Sequence, residues 1–184
     1  AWLDRRFLAF HVSGGTTDAL LVEPDGDTVL RCETVATSLD LKAGQLIDRT
    51  GVLLGLQFPA GKALDELYPQ ADACMEYCVK LKDLTFSLSG MENQVKRLLA
   101  EGEAPANVAR FTLDTVCSVV LRATQEAQRR CPGLPVLCSG GVASNRLLRT
   151  VMSDVAFAAP QYSTDNAMGA AILAWRSLGQ EAEA

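Results

Sequence analysis

Hydrophobic and polar residues alternate in three runs near the start of the chain, at residues 6–13, 18–23 and 28–34. Buried and exposed side chains alternate along a half-buried strand, so each run is predicted to be a β-strand. The intervening segments, residues 13–17 and 24–27, are rich in glycine, threonine and aspartate and predict tight turns. The pattern therefore predicts an antiparallel three-stranded meander.

Apolar residues then recur three or four positions apart, which predicts helices over residues 39–54 and 107–130. Asn107 is the predicted cap of the second helix. Residues 56–105, between them, are interpreted as an insertion of small elements and not as a separate domain. The predicted elements there are helices over 62–67, 71–78 and about 91–99, and a strand over 80–89.

The segment Leu134–Arg149 combines an apolar run, two glycines and the start of another helix. It predicts a strand over 135–138, a turn at Ser139-Gly-Gly141, and a helix to about residue 152 capped by Ser144. Such a turn brings backbone N–H groups and a helix N-terminus close to a ligand. A short strand over 154–158 and a helix over 167–178, capped by residues 163–166, complete the chain.

The order of the elements predicts an α/β fold with a mixed sheet, in which three antiparallel strands are followed by parallel strands with crossover helices. This is the ribonuclease H-like lobe of actin-like ATPases and sugar kinases. Ligands bind at strand ends in such sheets. The turns at residues 13–17, 139–141 and 163–166 are therefore predicted to open toward one edge.

Composition limits the classes of function. The chain has 184 residues, 48% of them hydrophobic, and a net charge of −5, which predicts a soluble lobe that binds nucleic acid poorly by itself. The longest apolar runs are too short for a membrane span, and we expect a cytoplasmic protein. Cys74 and Cys78 could share a helix face as half of a zinc site, but reduced thiols are favoured, with Cys117 and Cys138 buried.

Six short stretches resemble one family, the tRNA threonylcarbamoyl-transferases, also known as O-sialoglycoprotein endopeptidases or glycoproteases (peptidase family M22). They occur in the family's order between residues 11 and 166. In this sequence they read HVSGGTT (11–17), SLDLKAGQLID (38–48), FPAGKAL (58–64), FSLSG (86–90), SGGVASNR (139–146) and STDN (163–166). Their counterparts in the family are VSGGHT, TLDDAAGEAFD, YPGGPAL, FSFSG, AGGVSANR and CTDN.

The resemblance implies the actin-like fold and a site for ATP or for threonylcarbamoyl-AMP. Residues implied to contact the phosphates are Ser13, Gly14, Gly15 and Thr16. Residues implied to hold the ribose are Asp48 and Gly61, and those implied at the adenosine are Gly140, Gly141 and Asn145. Asp165 is implied to be a ligand of a divalent metal, iron or zinc, together with two histidines of an HxxxH motif. From the residues alone, a helix cap is the favoured interpretation of Asp165.

The sequence also departs from the family. Thr16 stands at the family's phosphate-loop histidine, and further differences occur at Leu41, Gln45 and Lys62. His11 is the single histidine, so the HxxxH motif is absent from this sequence. We therefore expect a divergent paralogue whose N-terminal lobe is missing, with residues 1–184 forming one lobe, no metal bound to this chain, and little or no activity of the fragment alone.

The function implied is transfer of a threonylcarbamoyl group from its AMP adduct to a tRNA adenosine. One alternative is a nucleotide-binding regulatory module or pseudoenzyme. A glycoprotease is less favoured, because no HExxH motif is present and because the only histidine able to act as a base, His11, lies in a strand. Expected partners are an adenine nucleotide, tRNA for the full-length protein and other threonylcarbamoyl-pathway proteins. Self-association through an exposed apolar face is also expected.

Overall fold

Residues 2–75, 77–163 and 167–183 are described by a computed structural model. The strands are β1 (Phe7–Val12), β2 (Thr17–Asp25), β3 (Val29–Ser38), β4 (Leu81–Lys82), β5 (Thr85–Phe86), β6 (Val136–Ser139) and β7 (Ala156–Phe157). The helices are α1 (Ala43–Leu53), α2 (Gly61–Leu67), α3 (Ser89–Ala100), α4 (Pro105–Arg130), α5 (Arg146–Val151) and α6 (Ala167–Glu183). Short 3₁₀ turns occur at Trp2–Asp4, Tyr68–Gln70, Gly141–Ser144 and Pro160–Tyr162.

The strands form one mixed sheet in the order β4-β5-β3-β2-β1-β6-β7. Strands β1 to β3 are antiparallel neighbours, whereas β6 runs parallel to β1 and β7 parallel to β6. This arrangement confirms the predicted ribonuclease H-like architecture. Strand β5 is parallel to β3, so β1, β3, β5, β6 and β7 all end at the same side of the sheet. We call this side the carboxyl edge.

The hydrophobic core lies on one face of the sheet, where α1 and α4 pack. Side chains alternate between faces along a strand, and Leu8, Phe10 and Val12 of β1 are at most 1% exposed on this face. Helix α4 contributes a long apolar row that includes Val108, Val116 and Val120. Burial of each such side chain stabilises the fold by about 1.5–3 kcal/mol relative to an exposed position. None of the described helices is long and apolar enough to cross a bilayer.

The insertion differs from its prediction in two places. The predicted strand over 80–89 is a tight hairpin of β4 and β5, turned by Asp83 and Leu84, which both have positive φ. The predicted helix over 71–78 is not helical in its described residues, 71–75 and 77–78. Asn107 explains part of this difference, because its side-chain oxygen accepts the N–H groups of residues 72 and 73 and holds that segment extended.

Two predicted helix caps were wrong. Helix α4 begins at Pro105, two residues before Asn107, since proline suits the first helical position, where its missing N–H costs nothing. Helix α5 begins at Arg146 and is capped by Asn145, whose side chain accepts the N–H of Leu148 at 3.0 Å. Ser144, the predicted cap, lies in the preceding 3₁₀ turn.

Candidate functional site at the carboxyl edge

The first element of the site is the turn between β1 and β2. The N–H of Ser13 donates to the carbonyl of Thr16 at 2.7 Å. The N–H groups of Gly15 and Thr16 donate to the Ser13 hydroxyl at 3.3 and 3.1 Å. A Cβ added to Gly14 or Gly15 would meet no atom within 4 Å. The four residues predicted to contact phosphate therefore form a closed turn with an open outer surface.

Helix α1 supports this turn from the other side. The N–H of Gly44 donates to the Ser13 carbonyl at 3.1 Å, and the N–H of Ala43 donates to the Thr17 hydroxyl at 2.8 Å. A Cβ on Gly44 would lie 2.6 Å from the Gly14 nitrogen, so only glycine lets the helix come this close. The positive end of the α1 dipole thus lies directly behind the turn, which favours an anion on its open side.

The second element is the glycine turn after β6, next to β1 in the sheet. Gly140 has φ +100°, and a Cβ there would lie 2.7 Å from the carbonyl carbon of Val12. Gly141 is exposed, and a Cβ there would meet no atom within 4 Å. Because β1 and β6 are parallel neighbours, the two glycine turns open side by side at the carboxyl edge.

Asn145 follows this turn, and its side chain is occupied inside the protein. Its oxygen caps α5 and accepts the Cys117 thiol at 3.7 Å, while its amide nitrogen donates to Asp65 of α2. Burial raises the pKa of Asp65, although the backbone and charge of Arg146 and the Asn145 amide oppose the rise. Asn145 thus joins α2 to the second turn, and its predicted contact with adenosine stays a prediction.

Asp48 and Gly61, the predicted ribose pair, lie close together. Asp48 is half-buried on α1 and accepts the N–H of Ala60 at 2.8 Å. Gly61, the next residue, begins α2, and a Cβ there would make only one ordinary contact, 3.9 Å from Ile47. The structure therefore brings these two residues together, and α2 also contacts Asn145 through Asp65. Their predicted contact with the ribose stays a prediction.

Asp40 has a role at this edge that the sequence did not reveal. Its carboxylate accepts the backbone N–H groups of Leu41, Leu88 and Ser89 and the Ser87 hydroxyl. Burial raises the pKa of Asp40, but these hydrogen bonds outweigh it and lower the pKa to about 2. Asp40 thereby ties the segment after β3 to the N-terminus of α3. Asp40 lies in the family stretch at residues 38–48 and its partners lie in the stretch at residues 86–90. The presence of both stretches was the only sequence signal for this contact.

A row of polar side chains crosses the opposite face of the sheet at the same edge. The His11 ring nitrogen Nδ1 lies 3.0 Å from the Ser139 hydroxyl, and the Thr37 hydroxyl donates to Asp18 at 2.6 Å. Burial lowers the pKa of His11, although the Asp18 carboxylate opposes this. His11 lies in a strand, as predicted.

A metal site is not formed by the described residues. Within residues 2–75, 77–163 and 167–183, no group of three or more histidine, cysteine, aspartate or glutamate side chains could hold a metal ion. Asp165, the predicted metal ligand, lies outside the described residues, as do its neighbours at 164 and 166. Cys74 and Cys78 are exposed free cysteines on a non-helical segment, whereas Cys117 and Cys138 are buried as predicted.

Solved structures similar to the chain share its fold. HypF from T. kodakarensis matches 97% of this chain and 34% of its own, with a TM-score of 0.69 and 14% identity. The activator of the 2-hydroxyisocaproyl-CoA dehydratase from Clostridium difficile, with bound ADPNP, matches 98% of this chain and 63% of its own, with a TM-score of 0.53 and 15% identity. At these identities the likeness shows the fold alone, which is that of the actin-like ATPases.

Proteins related in sequence identify the family, whereas the similar structures show only the fold. The tRNA N6-adenosine threonylcarbamoyltransferase of Chloroherpeton thalassium is 31% identical over 91% of this chain and 54% of its own length. The corresponding protein of Geotalea uraniireducens is 33% identical over 82% of this chain and 46% of its own length. The chain spans about half the length of these curated relatives. The family profile described as tRNA N6-adenosine threonylcarbamoyltransferase matches residues 4–172, and the chain therefore belongs to this family, as the six sequence stretches predicted.

Proposed function

We propose that the chain forms the nucleotide-binding side of a tRNA N6-adenosine threonylcarbamoyltransferase-like protein. In this reaction the threonylcarbamoyl group leaves AMP and joins the exocyclic amine of a tRNA adenosine. The observation that carries the proposal is the meeting of two glycine turns, Ser13–Thr16 and Gly140–Gly141, at one edge of an actin-like sheet, in a chain that belongs to this family.

The phosphates are assigned to the first turn. Its outer surface is open at Gly14 and Gly15, and the N-terminus of α1 behind it supplies a favourable potential for an anion. In the transferase reaction, the same potential would stabilise the negative charge that develops on the departing AMP phosphate.

The nucleoside is assigned to the second turn and to α1 and α2. No atom lies within 4 Å of a Cβ added at Gly141, which leaves open space for the flat base. The Asp48 carboxylate beside Gly61 suits the ribose hydroxyls as a hydrogen-bond acceptor. The Asn145–Asp65 contact joins these two parts, so that base and ribose sites are held in one arrangement.

Binding of tRNA and of a metal ion needs groups that the described residues do not supply. We propose that tRNA binds mainly through other parts of the full-length protein or its partners, because this chain has a net charge of −5. We propose that Asp165 contributes to a divalent metal site only in company with ligands from elsewhere. A location in the cytoplasm follows from the proposed substrate.

The test is a titration of the ¹⁵N-labelled 184-residue chain with AMP and ATP, followed by NMR. We expect weak binding, in the millimolar range, with shifts of the backbone amide signals of Gly14, Gly15 and Gly141. The amide of Gly26, which lies in the β2–β3 turn at the opposite end of these strands, is the internal reference and should not move.

A matched pair of variants sharpens this test. A Cβ meets open space at both Gly141 and Gly26, and neither has positive φ, so Gly141→Val and Gly26→Val should both fold. Gly141→Val should abolish the nucleotide-induced shifts, because the branched side chain fills the space assigned to the base. Gly26→Val should leave them intact. Shifts that persist in Gly141→Val, or the absence of shifts in the parent chain, would contradict the proposed site.

A further inference from the structure

Four polar side chains lie next to one another on the sheet face that does not pack on α1 and α4. They are Ser139 on β6, His11 on β1, Asp18 on β2 and Thr37 on β3, and each is the direct cross-strand partner of the next. On the other face, the neighbouring residues Phe10 and Val12 are fully buried in the core. All four polar residues are half-buried, so this row is accessible while being shielded in part from water.

Ser139 and Asp18 lie on the two strands that flank His11. The Ser139 hydroxyl lies 3.0 Å from His11 Nδ1, within hydrogen-bond distance of the only histidine in the chain. Burial favours the neutral form of His11, which can accept a proton from a serine hydroxyl. Asp18, on the other side of His11, favours the imidazolium that such a transfer creates, and the Thr37 hydroxyl holds Asp18 at 2.6 Å.

The backbone around Ser139 suits a nucleophile. Ser139 is the last residue of β6, and the chain turns sharply at Gly140, with φ +100°, into the 3₁₀ turn Gly141–Ser144. A serine at a tight turn from strand to helix presents its hydroxyl at the end of the sheet, and the N–H groups that follow it can face a developing oxyanion.

We propose that Ser139 is a nucleophile toward activated acyl groups and that His11 is its base. The Ser139 oxygen bonds to the carbonyl carbon while Nδ1 of His11 takes the hydroxyl proton. The bond from that carbon to the leaving oxygen breaks, and the leaving group departs with the proton from His11. Water then attacks the carbonyl carbon of the acyl-serine while His11 takes a proton from the water. The bond from that carbon to the Ser139 oxygen breaks, and His11 returns the proton to this oxygen, which releases a carboxylic acid and free Ser139. This activity goes beyond the nucleotide-dependent transfer proposed above and needs no nucleotide.

The experiment uses an alkyl fluorophosphonate on the 184-residue chain without nucleotide. Attack by the Ser139 oxygen on phosphorus expels fluoride, and the proton passes through His11 to solvent. We expect one covalent adduct by intact-mass spectrometry, located on Ser139 by peptide mapping. Ser139→Ala should abolish it, and His11→Gln should slow it at least about 100-fold, the usual contribution of a general base. Ser144→Ala, which removes an exposed serine of the following turn, should react as the parent chain does.

A purely structural hydrogen bond gives a different result. The folded parent chain would then form no adduct, or would form it on another serine, or His11→Gln would react at the parent rate, and each of these results would overturn the proposal. If His11→Gln fails to melt cooperatively, the variant is not folded and the test moves to the parent chain. The pH dependence of its labelling then decides whether His11 acts as the base. The labelling rate should rise with pH as the neutral imidazole of His11 forms and should become constant at higher pH. The midpoint of this rise should lie below 6.5, because burial lowers the pKa of His11. A rate that keeps rising tenfold per pH unit through this region would mean that hydroxide, not His11, removes the proton.

Failure here is distinguishable from failure of the nucleotide site. Amide shifts on AMP titration report on the two glycine turns, whereas the adduct reports on Ser139 and His11. A chain that binds AMP without forming the adduct keeps the proposed function and loses this inference. A chain that forms the adduct without binding AMP contradicts the proposed nucleotide site and supports Ser139 as a nucleophile.

Discussion

The carboxyl edge has a packed half and an open half, and glycines occur in both. In the packed half, Gly140 and Gly44 lie against the backbone of the neighbouring segments, so that a Cβ at either position would overlap main-chain atoms. In the open half, Gly14, Gly15 and Gly141 have no atom within 4 Å of an added Cβ. Glycines within one sequence stretch therefore do different things, since some set the geometry of the turn and others leave space beside it.

The largest effect is expected from Gly140→Ala in the packed half. The substitution combines an overlap with the Val12 carbonyl group and a positive φ that alanine rarely adopts. Together these should lower the free energy of unfolding by about 3 kcal/mol. Urea denaturation followed by circular dichroism measures the change. A loss below about 0.5 kcal/mol would mean that β1 and the second turn are not packed as described.

Gly44→Ala should have the next largest effect. Alanine gains about 1 kcal/mol of helix propensity over glycine, but here its Cβ would lie 2.6 Å from the Gly14 nitrogen. We expect a net loss of about 2 kcal/mol, because the helix end must move away from the turn. The same denaturation experiment checks this value. Since the helix would also withdraw its positive end, the amide signals of residues 13–16 should shift in the variant without any ligand.

Asp40→Ala tests the third connection at the edge, between the segment after β3 and α3. Removal of the carboxylate leaves the N–H groups of Leu88 and Ser89 without their acceptor and should cost about 1 kcal/mol at neutral pH. Because the pKa of Asp40 is lowered from 3.8 to about 2 on folding, its stabilisation is complete above pH 4 and is lost as the pH falls toward 2.

The difference in stability between parent and Asp40→Ala should therefore shrink over that interval of pH. Denaturation curves at pH 7, 4, 3 and 2 measure it. A difference that stays constant down to pH 2 would show that the ionised carboxylate contributes nothing through these bonds.

The smallest effect on stability is expected from Gly15→Ala in the open half. No atom lies within 4 Å of the added Cβ and the backbone does not have positive φ, so the free energy of unfolding should change by less than about 0.5 kcal/mol. If Gly15→Ala destabilised the chain as strongly as Gly140→Ala, the division into packed and open halves would be wrong.

Much of the fold followed from local periodicity. The alternation of residues 6–23 and the helical repeat of residues 107–130 report burial directly, and the structure places these strands and this helix as predicted apart from their ends. The third strand was also predicted, but its residues 31–34 are all exposed, so alternation there does not report burial. Strand β3 extends to Ser38, because this polar residue is buried with its hydroxyl donating to the Leu41 carbonyl. The β4–β5 turn could not be predicted, since Asp83 and Leu84 adopt positive φ without a glycine to indicate it.

The site was less predictable, because its contacts join residues far apart in the chain. The family stretches indicated the two glycine turns, but nothing in them distinguishes Gly140, which is packed, from Gly141, which is open. The His11–Ser139 contact spans 128 positions and depends on the register between β1 and β6. Register is set by packing of the whole sheet and cannot be read from either strand alone.

The short outermost strands of the sheet affect how copies of the chain can associate. Strands β4 and β7, at the two ends of the strand order, contain two residues each, so neither side offers a long row of unpaired backbone groups to another molecule. Growth by strand addition, the route to fibrils, is disfavoured. The self-association expected from the sequence would instead bury apolar side chains such as Trp175 and Leu178 of α6, which are 74% and 67% exposed.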